Sequence, residues 1–82
     1  MKDWFVYILE CSDGTFYTGI TDDVNSRVET HNLGKGAKYT RGRTPVILRL
    51  VEKVSGRSEA LKREAAIKKM TRSEKLKVIE SL

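Results

Sequence analysis

The sequence predicts one α+β domain, with elements in the order β-β-α-β-α-α. Three observations carry this. Trp4-Phe5-Val6-Tyr7-Ile8-Leu9 is apolar on both alternating faces, the pattern of a strand covered on both sides. Ser12-Asp13-Gly14 is a turn signal that sends the chain back along a second strand. Capping residues then mark three helices around a branched stretch, Val46 to Val54. The chain of 82 residues is 39% hydrophobic, which suits a folded globule with a modest core. No linker or repeat divides it, so 1–82 reads as a single domain.

Trp4 to Leu9 is expected at the centre of the sheet. The return strand runs from Thr15 to Ile20. A three-residue loop Ser12-Asp13-Gly14 sets Leu9 opposite Tyr17 and gathers Tyr7 and Tyr17 on one face, because Gly14 then takes the position a G1 bulge requires. Asp22 or Asp23 caps a first helix running to about Leu33. Gly34 to Thr44 is a loop with three glycines and four Lys/Arg. Pro45 opens the third strand and Gly56 ends it. Ser58 is expected to cap a second helix lasting to about Met70. Thr71-Arg72-Ser73-Glu74 fits a capping box, opening a last helix that runs nearly to Leu82.

Composition excludes several function classes. A single Cys leaves no internal disulfide, and one Cys with one His cannot make an ordinary four-ligand zinc site. No apolar run approaches the roughly 20 residues of a membrane span. Met1-Lys2-Asp3 lacks the shape of a signal peptide, so a cytoplasmic address is expected. The net charge of +5 is unevenly divided. Residues 1–24 hold one lysine against five acids, and residues 25–82 hold fifteen Lys/Arg against six acids. A small domain so basic over most of its length points first to nucleic acid as partner, then to an acidic protein or a membrane surface, with a plain solubility surface as the alternative.

Four places could carry chemistry. Arg27 and His31 are four apart and share a face of the first helix; the plainer alternative is a packed histidine beside a solvated arginine. Glu64 falls near the middle of an apolar arc formed by Ala60, Leu61 and Ile67. An inward carboxylate must be paired, protonated or bound to a cation, and either Lys68 or a metal ion answers. Lys35, Lys38, Arg41 and Arg43 share the glycine-rich loop with Tyr39. Such a loop can follow a phosphate backbone while the aromatic stacks on a base, or it can be merely mobile and solvated. Cys11 is most simply a buried strand-end residue.

In chain order these pieces resemble the GIY-YIG nuclease superfamily. Phe5-Val6-Tyr7 and Tyr17-Thr18-Gly19 are similar to its paired motif, with Phe-Val and Thr18 where the namesake has Gly-Ile and Ile. Arg27 matches its arginine, and His31-Asn32 fits an extension found in several branches. Gly36-Ala37-Lys38-Tyr39-Thr40 with Pro45 resembles the loop of the branch that includes structure-specific junction nucleases. Ala60-Leu61-Lys62-Arg63-Glu64 matches the segment carrying the family's metal-binding glutamate. The likeness covers nearly the whole chain and is strongest to small single-domain bacterial members.

The resemblance implies an α/β sandwich, a three-stranded antiparallel sheet flanked by helices, with the site on one sheet face. It implies a DNA endonuclease, with branched or single-stranded DNA among the candidate substrates, DNA repair among the settings, and RNA or linear DNA left open, using one Mg²⁺ or Mn²⁺ held by Glu64. Tyr17 would orient or deprotonate the attacking water, Arg27 would neutralise charge on the phosphate, and Tyr7 and His31 would complete the hydrogen-bonding shell. The alternative is a basic nucleic-acid-binding module of the same fold that does not cut. Ile20, where excision-repair members carry lysine, and the lack of a late asparagine favour that alternative. A domain this small leaves targeting to a protein partner, and the sequence does not specify an oligomeric state.

Overall fold

The computed structural model describes residues 3–81. The opening Met1 and Lys2, and the Leu82 expected near the end of the last helix, lie outside the described residues. The elements are β1 (Trp4–Glu10), β2 (Phe16–Thr21), α1 (Val24–Asn32), a 3₁₀ turn (Lys38–Thr40), β3 (Ile47–Val54), α2 (Arg57–Lys68) and α3 (Arg72–Glu80). The three strands form one antiparallel sheet in the order β2-β1-β3, with β1 central as its two apolar faces require.

The hairpin takes the three-residue loop. Leu9 pairs with Tyr17. Gly14 N donates to Cys11 O at 2.9 Å, and Cys11 N donates to Thr15 O at 2.8 Å. Gly14 closes the turn at φ +84°, a conformation that favours glycine. Of the two candidate caps for α1, Asp23 serves, accepting from Ser26 N at 3.1 Å. The Thr71 capping box has both arms, at 3.2 and 2.9 Å.

Helix α2 departs from expectation at both ends. It is capped at Gly56 rather than Ser58, because the Gly56 carbonyl already accepts from Ala60 N at 3.0 Å. It stops before Met70, whose N–H reaches back only three residues, to Ile67 O. The buried line of α2 runs through Ala60 and Ile67, both fully buried, while Leu61 is 39% exposed and lies outside the expected arc. At about 100° per residue, Arg63 and Glu64 flank that line on opposite sides. Arg63 makes a two-pronged pair with Glu52 on β3 at 2.8 and 3.1 Å. The opposite flank, with Glu64, therefore looks toward β2.

Two apolar clusters result. Val6, Ile8 and Leu50 pack with Ala60, Ile67 and Ile79 from α2 and α3. On the other face Tyr7, Leu9, Cys11 and Val46 pack with Tyr17 and with Val28 of α1.

Candidate active site

Alternation along β1 sends Tyr7 to the α1 face, where it is 1% exposed. Its partner on β2 is Gly19. A Cβ there would lie 2.5 Å from Tyr7 Oη and 3.1 Å from Tyr17 Cε2, so glycine is what lets both phenols lie over the strand. The ring centroids of Tyr7 and Tyr17 are 6.4 Å apart.

Helix α1 supplies Arg27 and His31 to the same face. His31 is fully buried, with its ring centroid 6.0 Å from Tyr7 and 5.3 Å from Tyr17. Tyr7 Oη and His31 Nε2 are hydrogen-bonded at 3.0 Å, and His31 Nδ1 bonds Thr40 Oγ1 at 2.8 Å. Burial, reinforced by the Arg27 charge, lowers the His31 pKa and keeps the imidazole neutral. Burial likewise raises the Tyr7 phenol; the Arg27 guanidinium opposes this, while Tyr17 and Glu64 add to it. The expected alternative of a packed histidine beside a solvated arginine thus holds only for the packing. Arg27 is half-buried and acts on both Tyr7 and His31.

Glu64 arrives from the other layer. Its side chain is only 19% exposed, and it pairs with Lys68 at 3.5 Å. Its charge is felt at Tyr7. The site is thus not confined to one sheet face: it wraps the free edge of β2, with Tyr7, Tyr17, Arg27 and His31 on the α1 side and Glu64 on the α2 side. A groove of about 370 Å³ crosses this edge, lined by Phe16, Tyr17, Thr18, Tyr39, Lys68 and Lys75. Thr18 Oγ1 is buried there without a hydrogen-bond partner among the described residues.

The glycine-rich loop is pinned rather than merely mobile. Asn32 pairs with the Val46 backbone at 2.7 and 3.3 Å, Ser12 N donates to Arg43 O at 2.7 Å, and Thr40 is tied to His31. Arg43 is bonded to Asp13 at 2.5 Å and lies 4.4 Å over the Tyr39 ring. Tyr39 stacks on Tyr17 at 6.0 Å and 27°. Both therefore already have partners, whereas Lys35, Lys38 and Arg41 are exposed, with no ion pair among the described residues. Nothing in the sequence periodicity singles out Thr40, Lys75 or Gly36. A Cβ at Gly36 would collide with the His31 ring, a close approach that the glycine itself hints at.

No described group of three or more His, Cys, Asp or Glu could hold a metal ion. Mg²⁺ fits even so, because it keeps several waters and is bound through one or two carboxylates plus substrate phosphates. Glu64, little exposed and paired among the described residues with Lys68, is the carboxylate suited to that. Among the described residues no helix is long and apolar enough to cross a membrane.

The family model described as the GIY-YIG catalytic domain matches residues 3–77. A UPF0213 protein of Halobacterium salinarum is 60% identical over 70 residues, covering 85% of this chain and 91% of its own. A UPF0213 protein of Staphylococcus aureus is 56% identical over 80 residues, covering 98% of each. Among solved structures, a UPF0213 protein from Bacillus halodurans is 44% identical with a TM-score of 0.61, over 94% of this chain and 82% of its own. A protein from E. faecalis is 46% identical with a TM-score of 0.67, over 99% and 86%. With that match over nearly its whole length, and with paired tyrosines, arginine and glutamate meeting at one strand edge, the chain belongs to the GIY-YIG family of nuclease catalytic domains.

Proposed function

We propose that this domain hydrolyses phosphodiester bonds of DNA with the help of one Mg²⁺ or Mn²⁺. The observation that carries the reading is the meeting of a hydrogen-bonded Tyr7–His31 pair, the Arg27 cation and the Glu64 carboxylate around the edge of β2. A divalent ion bound at Glu64 would polarise a phosphoryl oxygen and stabilise the leaving oxygen. Tyr17 orients the attacking water. A phenol near pKa 10 is a poor base alone. Tyr7, however, has a neutral imidazole in reach. The water's proton passes to Tyr7 Oη as the Tyr7 proton passes to His31 Nε2, leaving an imidazolium that donates from both nitrogens. Arg27 neutralises charge developing on the phosphate. Lys35, Lys38 and Arg41 hold the nucleic-acid backbone without reading sequence, with Arg43 and Tyr39 bracing the loop beside them.

Purified protein incubated with flapped, branched, single-stranded and linear DNA, with Mg²⁺ or Mn²⁺ and with chelator, tests this. Cleavage that needs the divalent ion is expected. Binding to every substrate without cutting would overturn the reading in favour of a non-catalytic binding module. One observation favours that second reading: Glu64 already has a cation, Lys68, as its partner.

A further inference from the structure

We propose that Thr40 is a positioning residue that fixes His31 as the Nδ1–H tautomer and so reserves Nε2 to accept the Tyr7 proton; this rests on the nuclease reading above. A threonine hydroxyl has one proton to give. Thr40 Oγ1 gives it to Ala37 O, 2.9 Å away. What remains toward His31 Nδ1, at 2.8 Å, is a lone pair, so Nδ1 carries the proton there. In a neutral imidazole Nε2 is then an acceptor, and Tyr7 is the donor in the 3.0 Å bond. The direction of every proton from Tyr7 inward thus follows from one backbone carbonyl.

The opposite tautomer would need Thr40 to turn its proton away from Ala37 O. That would take from Ala37 O one of the two bonds Thr40 gives it, leaving the backbone N–H at 3.0 Å, in a place where Thr40 and His31 are both fully buried. Nor can the ring slide aside, because Gly36 packs so close to it that no Cβ fits between. In the opposite tautomer Nε2 would carry a proton toward Tyr7 and could not take another. Thr40 sits on the 3₁₀ turn of the basic loop, so the segment with the exposed cations also sets the polarity of the base.

The chain has a single histidine, so its ring nitrogens can be read without ambiguity by long-range ¹H–¹⁵N spectra of ¹⁵N-labelled protein. The parent is expected to show a protonated Nδ1 and a bare Nε2. Thr40→Val keeps the shape and removes the acceptor. It should give a mixed or reversed tautomer signal and lower kcat about 10–100-fold, by analogy with groups that orient metal-ligating histidines, with KM unchanged. Thr40→Ser should restore both. A parent with bare Nδ1 overturns the proposal, as does a folded Thr40→Val variant with the parent's signal or rate. If Thr40→Val does not fold, Thr40→Ala is measured the same way and judged by the same two readouts, and the parent spectrum decides alone if it too fails. The tautomer readout needs no cutting. A protein that cuts nothing but shows the expected spectra would sink the nuclease reading and the catalytic part of this proposal, not the tautomer assignment.

Discussion

The two sides of the β2 edge are built on different terms. On the α1 side, Tyr7, His31 and Thr40 are buried, bonded to one another and packed ring against ring. On the α2 side, among the described residues, Glu64 has one partner at 3.5 Å and Thr18 Oγ1 has none, and Lys68 and Lys75 line an open groove. The first side is complete as folded and holds its groups in fixed geometry, as catalysis by prearranged donors and acceptors demands. The second has bonding capacity left over, as expected where a cation and a phosphate complete it. Substitutions on the first side should therefore register in stability as well as rate. Those on the second should register in ligand response without loss of stability.

The largest effect is expected at Glu64. Glu64→Gln keeps the shape and removes the anionic oxygen that Mg²⁺ prefers, so all metal-dependent cleavage should vanish. The Lys68 side chain is 54% exposed, and an ion pair with one partner that open contributes little. The melting transition without metal should thus stay within about 1 kcal/mol of the parent, a typical point-mutant effect. Thermal melts with and without Mg²⁺, beside a cleavage assay, check this. A large stability loss with cleavage intact would move Glu64 to the structural side of the comparison.

Arg27 comes next because it serves both sides. It lies on α1, and in the proposed reaction its charge meets the phosphate. Arg27→Ala should lower the cleavage rate about 10²–10³-fold, by analogy with loss of one donor aimed at a transition state. Affinity for DNA, measured by anisotropy, should change little if, as proposed, the loop cations supply most phosphate contacts. Affinity falling in step with rate would make Arg27 a binding residue.

Gly36→Ala tests the packed side directly. The new methyl would meet the His31 ring and its Cα, and backbone does not yield as a long side chain does. Overpacking of this kind costs about 1–3 kcal/mol. In a domain this size each kcal/mol lowers Tm by about 4–8 °C. An unchanged melt would show that the α1 side is looser than its distances suggest.

Much of this architecture is legible in the sequence where local chemistry decides. Gly14 at the third loop position sets the hairpin register and so brings the two tyrosines to one face. The Thr71 capping box and the inward turn of Glu64 follow from spacing alone. What the sequence hides is set by contacts between distant segments. Arg43 reads as one more loop cation, yet Asp13, thirty residues earlier, holds it. Thr40 looks like loop filler until a 3₁₀ turn carries it under His31. Leu61 reads as core because periodicity gives a helix's apolar arc but not how wide a strip its sheet will cover.

The smallest effect is expected at Thr18, and it separates the two sides most cleanly. Its hydroxyl is buried without a partner among the described residues, while its neighbours on the sheet are satisfied by packing. A buried donor left unsatisfied costs free energy, and an apolar group of the same shape removes that cost. Thr18→Val should therefore leave stability unchanged or raise it by up to about 1 kcal/mol. If the hydroxyl awaits substrate at the groove, the same variant should bind a short single-stranded oligonucleotide several-fold more weakly. Melts and anisotropy on one preparation read both. A Thr18→Val protein that is less stable has lost a bond formed within the fold, and the α2 side would then be as complete without ligand as the α1 side. Stability gained with affinity intact would make Thr18 a plain packing defect and leave the groove to its two lysines.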